Sequence, residues 1–343
     1  MGDETGGRSQ EWLAEVGNWV SSVVAGHDMT VLGVPHEHET RPWSTVWTIA
    51  TDRGLIWFKQ CEPSSRTEPA VHRILAQMAP EFVDAPLAVH PGRGWTLTRD
   101  GGVPVAETGP VGSRGVVPET VVALLIDYAA LQRITIRHRA KLAAAGLPSM
   151  HPEDAAGTAA KQARSMWALP PTDPRHLTDA QLQSVLAAGP ALTAAAEVLI
   201  GGPVPLAFDH ADLFPRNVFL PRAAGEPYRF FDFAESGWAH PFSSLVMLIP
   251  ALQHRWRTPT SPDAVDCRDP RIGAILEAYL DCWTDLAPIA DLRVLAAAAL
   301  RVAPLHRSAP WLRTLAEADA TVLAAHGRTP WAWLEDVTKE VLL

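Results

Sequence analysis

The sequence is poor in cysteine, has no excess of basic residues and contains no long apolar run. Its three cysteines, Cys61, Cys267 and Cys282, are scattered and form no CxxC pair, which disfavours a disulfide scaffold or a zinc site and suits a reducing compartment. The net charge of −9 disfavours nucleic acid as a partner, because phosphate backbones attract clustered lysine and arginine. No apolar run reaches the roughly 18 residues of a membrane span, and no secretory signal opens the chain. We therefore expect no membrane partner and a cytoplasmic location.

The hydrophobic pattern divides the chain into a strand-rich part and a helix-rich part. At 343 residues the chain exceeds one ordinary core, so we expect two lobes. In the first part, an amphipathic helix over residues 10–25 precedes strand-like runs, and a helix opens at Glu68 and stops at Pro80. The predicted strands are residues 29–34, 45–51, 55–61, 86–90 and 94–99.

Alanine-rich helical patterns dominate after residue 118. The predicted helices are residues 119–133, 181–199, 242–253, 271–283, 291–302 and 311–325. The change in pattern places the boundary between residues 99 and 117, and a cleft between two lobes is a usual place for a ligand. The sequence therefore predicts an α+β fold in which an antiparallel sheet with one packed helix is followed by a larger, mainly helical lobe.

Polar residues are concentrated in one strand-rich segment of the second part. Phe208-Asp-His-Ala-Asp-Leu-Phe-Pro-Arg-Asn-Val-Phe-Leu220 is followed by Arg229-Phe-Phe-Asp-Phe233. The oxygens of Asn217 and Asp232 suit a hard cation such as Mg²⁺, and Asp212 is then free to accept a proton from a substrate hydroxyl. This division of roles is typical of phosphoryl transfer.

A second pair of charges lies in the first part. Lys59 ends a strand, and Glu68 starts the helix that follows. A lysine in such a strand is costly to bury unless an anion meets it, so Glu68 is expected to hold the ammonium for a nucleotide phosphate. Glu62 is the competing partner, and a solvent-facing Lys59 with Glu68 serving the helix N-terminus is the purely structural alternative.

His210-Ala-Asp-Leu-Phe-Pro-Arg-Asn217 resembles the HGDxxxxN catalytic loop of the aminoglycoside phosphotransferase-like (choline kinase-type) small-molecule kinases, which have a bilobal protein-kinase-like fold. Phe231-Asp-Phe233 resembles the metal-binding Asp segment of that family. The resemblance implies that Asp212 is the catalytic base and that Asn217 and Asp232 hold Mg²⁺. It also implies that Lys59 contacts the phosphates of ATP or GTP.

The same resemblance assigns supporting roles. It implies that Glu68 pairs with the nucleotide lysine and that His210 braces the catalytic loop. The linker from Thr98 through Asp100 to Gly102 is implied to contact adenine through its backbone. Residues 1–102 would then form the nucleotide-binding lobe, and residues 103–343 the lobe with the catalytic loop and the acceptor site.

Several residues depart from the family pattern. Ala211 replaces a glycine, a small change, and Arg216 stands beside the metal-ligand Asn, where it either contacts phosphate or folds outward. In the counterpart of the family's G-D-P-x-x-D-L segment, the two acids are His240 and Ser244, so Ser244 is expected to brace the loop more weakly than an aspartate. The glycine-rich phosphate loop is replaced by residues 36–44.

These observations predict a kinase that phosphorylates a hydroxyl of a small molecule, either an antibiotic such as an aminoglycoside or a metabolite or natural-product alcohol. We expect a monomer or a homodimer. His306, Arg307, Trp311 and Trp283 are candidates to line the acceptor pocket, although each alone is more often a packing residue.

Two other classes stay open at this point. One is a pseudokinase-like protein that binds nucleotide without transferring phosphate, which the altered Ser244 and Arg216 motivate. The other is a metal-dependent hydrolase. Its ligands would be Asp209, His210, Asp212, Asp232 and His240.

Overall fold

A computed structural model describes residues 9–107, 116–258 and 264–343 of the chain. Helix α1 (Gln10–Gly26) begins after Ser9, whose side chain accepts a hydrogen bond from the backbone N of Trp12. Helix α2 (Glu68–Met78) follows the third strand and carries a proline in its first turn. The strands of this part are β1 (His36–Arg41), β2 (Ser44–Thr51), β3 (Gly54–Cys61), β4 (Ala88–His90) and β5 (Trp95–Arg99).

These five strands form one antiparallel sheet in the order β1-β2-β3-β5-β4. Helix α1 buries Val16, Val20 and Val24, at the i, i+4, i+8 spacing of one helix face, and they share a small core with Trp47 and Phe58 of the sheet. Helix α2 instead contributes its apolar side chains to the larger core of the helical part. The predicted antiparallel sheet followed by a larger, mainly helical part is confirmed, and α1 is the helix that shares the core of the sheet.

One predicted strand is wrong. Residues 29–34 form no strand; only Val31 makes an isolated bridge, to Thr51. The first strand is His36–Arg41, in the segment that we expected to replace the phosphate loop. Because β1 lies at the sheet edge and is largely exposed, its residues are polar and give no apolar strand signal. A tight turn at Pro42 and Trp43 joins it to β2.

The second part is mainly helical and has one large core. Its helices are α3 (Pro118–Thr135), α4 (Arg139–Ala144), α5 (Ala155–Trp167), α6 (Asp179–Ala187), α7 (Gly189–Gly201), α8 (Leu245–Trp256), α9 (Pro270–Asp281), α10 (Ile289–Val302), α11 (Pro304–Thr314), α12 (Ala320–His326) and α13 (Thr329–Glu335). Short strands lie between them: β6 (Ala207–Asp209), β7 (Val218–Phe219), β8 (Arg229–Phe230), β9 (Gly237–Ala239), β10 (Ala264–Asp266) and β11 (Glu340–Leu342).

Two of the helix predictions need correction. The predicted helix over residues 311–325 is two helices: α11 begins earlier and ends at Thr314, and α12 starts after Asp319, whose carboxylate accepts a hydrogen bond from the N of Val322. A local cap thus interrupts a continuous apolar pattern. The predicted helix over residues 181–199 is divided at Ala188 into α6 and α7, because Pro190 starts a new helix.

The α6–α7 segment, Asp179–Gly201, is long and apolar enough to cross a membrane by length and composition, with a mean hydropathy of 1.5. Its buried residues, among them Leu192 and Leu199, pack into the helical core, and 28% of the apolar window is buried. One such segment is weak evidence of a membrane span. The absence of a membrane partner, the cytoplasmic location and the domain division after Gly102 stay predictions. Part of the predicted boundary region, residues 108–115, lies outside the described residues.

Candidate functional site

Two short antiparallel pairs bring the polar segments together. Strands β6 and β9 pair around Phe208 and Trp238, and β7 and β8 pair through Val218 and Phe230. The loop between β6 and β7 therefore lies beside the turn between β8 and β9. A hydrogen bond of 3.1 Å from the N of Phe231 to the backbone O of Asn217 joins the two segments.

Asp212 and Asn217 are in direct contact within this loop, and both are buried. The amide nitrogen of Asn217 donates to Oδ2 of Asp212 over 2.8 Å and to its backbone O over 2.9 Å. These two bonds use both hydrogens of the amide, so the carbonyl oxygen is the group that Asn217 retains for another ligand. Oδ1 of Asp212 has no hydrogen-bond partner among the described residues.

Lys59, Glu68 and Asp232 form a second group. The ammonium of Lys59 lies 2.8 Å from Oε2 of Glu68 and 2.6 Å from Oδ1 of Asp232. The competing candidate, Glu62, instead accepts a hydrogen bond from Gln60, at 3.3 Å. Burial lowers the pKa of Lys59, but the carboxylates of Asp232 and Glu68 outweigh it and raise that pKa well above its ordinary value. The structure thus brings together the three charged residues that the sequence suggested.

Glu68 is buried at the first turn of α2 and accepts hydrogen bonds from three donors, two on β3 and one on the segment after β8. Besides Lys59, its donors are the N of Phe233, at 3.1 Å, and the thiol of Cys61, at 2.7 Å. Burial and the nearby carboxylate raise the pKa of Cys61 well above its ordinary value, so the thiol keeps its proton. This carboxylate therefore connects β3, α2 and the segment that contains Asp232.

Asn217 and Asp232 fit a magnesium ion by the chemistry of their donors. Both offer oxygen, and Asp232 has a side chain that is 40% exposed and points to where solvent and a ligand have access. Burial raises the pKa of Asp232, but the Lys59 ammonium more than compensates and lowers it, so the carboxylate is ionised. The hydrolase alternative requires at least three His, Cys, Asp or Glu side chains grouped as a metal site. The described parts of the chain contain no such group.

His210 connects the loop to the neighbouring turn. Its Nε2 lies 2.9 Å from the backbone O of Phe231, and because that oxygen only accepts, we assign the ring proton to Nε2. Its backbone N donates to the hydroxyl of Tyr128, at 2.8 Å. These contacts are those of a bracing residue.

Ala211 has a left-handed backbone, with φ of 57°. A side chain with a Cβ is strained there, whereas glycine is not. The replacement of the family's glycine is therefore a larger change than the sequence suggested. The N of Ala211 donates to Oδ1 of Asp209, at 3.0 Å, and the hydroxyl of Ser244 donates to the same oxygen, at 2.5 Å.

Arg307 is a site residue whose position the sequence did not reveal. It lies on α11, is only 4% exposed, and donates to the backbone O of Ala211 at 3.0 Å. Its Nη2 is 3.5 Å from Oδ1 of Asp212, and its Nη1 forms an ion pair with Glu235. The sequence indicates Arg307 only as a possible pocket residue, and nothing in the spacing connects it to a loop nearly a hundred residues earlier. Trp283, another pocket candidate, is fully buried in the core.

The side chain of Arg216 lies against the loop and is partly exposed. Its side chain is 53% exposed, lies 3.3 Å from Oδ2 of Asp212, and stacks over the ring of Phe214 at 5.1 Å. A phosphate contact by Arg216 stays a prediction.

The linker after β5 is largely exposed but approaches Phe219 closely at Gly101. Thr98 pairs with Trp57 in the sheet, and the carboxylate of Asp100 accepts a hydrogen bond from the N of Gly102, at 3.2 Å. A Cβ on Gly101 would lie 2.1 Å from the ring of Phe219, so only glycine permits this approach. The adenine contact that the resemblance implies for this linker stays a prediction.

The turn between β1 and β2 contacts the helical part across the site. Trp43 lies 5.0 Å from Trp311 of α11 and 5.4 Å from His326 of α12, measured between ring centroids in edge-to-face geometry. The hydroxyl of Thr314 on α11 donates to that of Ser64, at 3.1 Å. One face of α11 therefore extends from Asp212 to the β1–β2 turn.

No family model matches the chain, and neither does any curated protein. Solved structures match it over nearly its whole length. An ethanolamine kinase from Plasmodium vivax is 10% identical with a TM-score of 0.61, covering 95% of this chain and 89% of that one. The GDP complex of aminoglycoside 2'-phosphotransferase-IIIa is 11% identical with a TM-score of 0.59, covering 94% and 97%. Macrolide 2'-phosphotransferase MphH from Brachybacterium faecium is 15% identical with a TM-score of 0.55, covering 92% and 97%. The chain thus has the protein-kinase-like fold of the small-molecule phosphotransferases.

Proposed function

We propose that the protein is a kinase that transfers the γ-phosphate of ATP or GTP to a hydroxyl group of a small molecule. The observation that carries the proposal is the convergence of Lys59, Glu68 and Asp232 beside the Asp212–Asn217 pair. The shared fold supports it, because the matching structures are described as phosphotransferases and kinases of small molecules. Bound GDP in one of them supports a nucleotide as the donor.

Asp212 is the proposed base. Asn217 fixes one of its carboxylate oxygens, and the other makes no hydrogen bond among the described residues, with only the ion pair to Arg307 at 3.5 Å, so it can accept the proton of a substrate hydroxyl. Since Asn217 and Arg216 approach only Oδ2, the orientation of the carboxylate is set before the acceptor binds.

The nucleotide phosphates would meet Lys59, which Glu68 holds in place. When bound, Mg²⁺ would be held by Asn217 and Asp232 and would neutralise charge on the phosphate oxygens. Most of the acceleration would come from positioning and from charge neutralisation rather than from covalent chemistry.

The acceptor site would adjoin Asp212, where two guanidinium groups are also found. Arg307 and Arg216 both lie within 3.5 Å of the carboxylate. Each guanidinium is balanced by carboxylates, Arg216 by Asp212, and Arg307 by Asp212 and Glu235. The proposed acceptors therefore include both neutral alcohols and aminoglycosides.

The test is ATP and GTP consumption by the purified protein with Mg²⁺ across macrolides, aminoglycosides, sugars, nucleosides and amino alcohols, with Asp212→Asn alongside. Turnover that falls by several orders of magnitude in the variant, while nucleotide affinity changes little, is the expected result. Nucleotide binding without turnover on any acceptor would favour the pseudokinase alternative. Full activity in Asp212→Asn would remove this residue as the base.

A further inference from the structure

A chain of hydrogen bonds joins the backbone just before the proposed base to a buried carboxylate, that of Asp209. The N of His210 donates to the hydroxyl of Tyr128 at 2.8 Å, so the proton of that hydroxyl is directed to Oγ of Ser244, at 2.7 Å. Ser244 in turn donates to Oδ1 of Asp209 at 2.5 Å, and the N of Ala211 donates to the same oxygen at 3.0 Å. The donors therefore converge on one carboxylate oxygen, and both ends of the chain are backbone groups of the loop.

The chain is fully enclosed. Asp209 and Ser244 are each 1% exposed, and Tyr128 is not exposed at all. Gln132 adds a weaker contact of 3.3 Å from its Nε2 to Oγ of Ser244. A buried carboxylate is costly unless hydrogen bonds compensate for lost solvation, and this one receives two. The carboxylate is thus held by defined donors, with Nδ1 of His306 4.0 Å from its other oxygen, and burial still raises its pKa above the ordinary value.

We propose that Asp209 is the positioning carboxylate of the phosphotransfer loop. It takes the part that the resembling kinases give to the aspartate at the position of Ser244. In this chain the carboxylate comes from the loop itself, and the hydroxyl comes from the segment before α8, where the resembling kinases have the aspartate. The assignment rests on the proposed function for its catalytic consequence.

Asp209 acts through Ala211. The backbone of Ala211 is left-handed and directly precedes Asp212, so its conformation sets the direction of the proposed base. The hydrogen bond from the N of Ala211 to Asp209 stabilises this otherwise strained conformation. Asp209 itself contacts neither acceptor nor nucleotide in this scheme.

Exchanging the side chains of residues 209 and 244 tests the proposal. Asp209→Ser removes the carboxylate, and Ser244→Asp alone places two carboxylates at hydrogen-bonding distance in a buried site, so each variant should melt at a lower temperature. Each should also lose about 10²-fold in kcat, because the base is misplaced, with the KM for nucleotide changed by less than about twofold. The double variant restores one carboxylate and one hydroxyl, and both properties should recover towards the starting protein.

Two further variants test whether the position of the carboxylate matters or only the presence of one carboxylate and one hydroxyl. Asp209→Asn keeps an acceptor oxygen for Ala211 and Ser244 and should lose less kcat than Asp209→Ser. Asp209→Ser combined with Ser243→Asp has the same composition as the double variant with the acid one residue away, and it should recover neither property. Ser243 is also 1% exposed, so the two acids enter comparable surroundings.

The outcomes are decisive in either direction. If the double variant recovers neither melting temperature nor kcat relative to the single variants, the role assigned to Asp209 is overturned. Recovery of the melting temperature without kcat shows that Asp209 has only a structural role. If the starting protein consumes no nucleotide with any acceptor, the proposed function fails separately. Hydrogen exchange at the backbone amides of residues 210 and 211 then decides the inference: protection lost in Asp209→Ser and regained in the double variant supports it, and unchanged protection overturns it.

Discussion

The ammonium of Lys59 lies 2.6 Å from Oδ1 of Asp232, although 173 residues separate the two in the sequence. Lys59 is on the central strand β3, between β2 and β5, and Asp232 is on the turn after β8. Their ion pair thus joins the sheet to the turn that lies beside the loop of the proposed base. It fixes the position of Lys59, the proposed nucleotide-binding residue, relative to the proposed metal ligand.

Lys59→Met should remove this connection. With acceptor and Mg²⁺ present, kcat/KM for ATP should fall by about 10²–10³-fold, because the phosphates lose a preorganised positive charge. Lys141→Met is the matched control, since Lys141 is exposed on α4. Steady-state kinetics on both variants checks the expectation, and equal kcat/KM values in the two would contradict it.

Ala211→Gly should not lower the free energy of unfolding. Relief of the left-handed backbone is worth about 1–2 kcal/mol, which offsets the roughly 0.4–1 kcal/mol that glycine costs through the unfolded chain. Ala129→Gly in α3 is the control, because the same change inside a helix should cost about 1 kcal/mol. Urea unfolding of both variants measures the difference; similar losses would show that the backbone of residue 211 is not strained.

The stability of the protein should fall in acid partly through His240. Burial lowers the pKa of His240 to about 3, below its unfolded value near 6.5, so the unfolded state binds the proton first as the pH falls. Stability is then lost below about pH 6.5, by up to about 1.4 kcal/mol per pH unit from this group.

His240→Asn tests this slope. The Nδ1 of His240 accepts a hydrogen bond from the N of Phe242, and an asparagine side chain can replace it as a cap without titrating. Denaturant unfolding between pH 7 and about pH 4.5 should show a shallower decline in the variant. An identical pH dependence would mean that other groups determine it.

The contact between Trp43 and Trp311 should stabilise the approach of the β1–β2 turn to α11. Ring pairs of this geometry contribute about 0.5–1.5 kcal/mol beyond their buried area. A double-mutant cycle of Trp43→Ala and Trp311→Ala, followed by urea unfolding, should give a coupling energy of that size. Pairing Trp43→Ala with Trp333→Ala should be additive, because these rings make no contact in the described structure.

The sequence could predict those contacts of the site that join residues close together in the chain. Asp212 and Asn217 lie on one loop, and Asp232 follows on the next strand pair, so their proximity follows from local pairing. Lys59 and Glu68 are in contact, as expected because a charged residue in an apolar strand needs a partner nearby. The apolar flanks of the polar segment, among them Val218 and Phe230, are buried in the paired strands β7 and β8.

What the sequence could not reveal depends on distant or exposed residues. Strand β1 lies at a sheet edge and has no apolar face, and α11 begins at a proline that resembles a break. Arg307 reaches Asp212 only through the packing of helices far apart in the chain. Tyr128 and Gln132 did carry a signal, since they are polar residues one turn apart on the buried face of α3.

The hydrogen bond from Cys61 to Glu68 has a consequence for inhibitor design. A cysteine two residues from Lys59, the proposed nucleotide-binding residue, would ordinarily attract electrophilic inhibitors. The thiolate is the reactive form, however, and the buried thiol of Cys61 keeps its proton because it donates to a carboxylate. Acrylamides and related warheads should therefore leave Cys61 unmodified, and a covalent ligand for this cleft would have to engage another side chain.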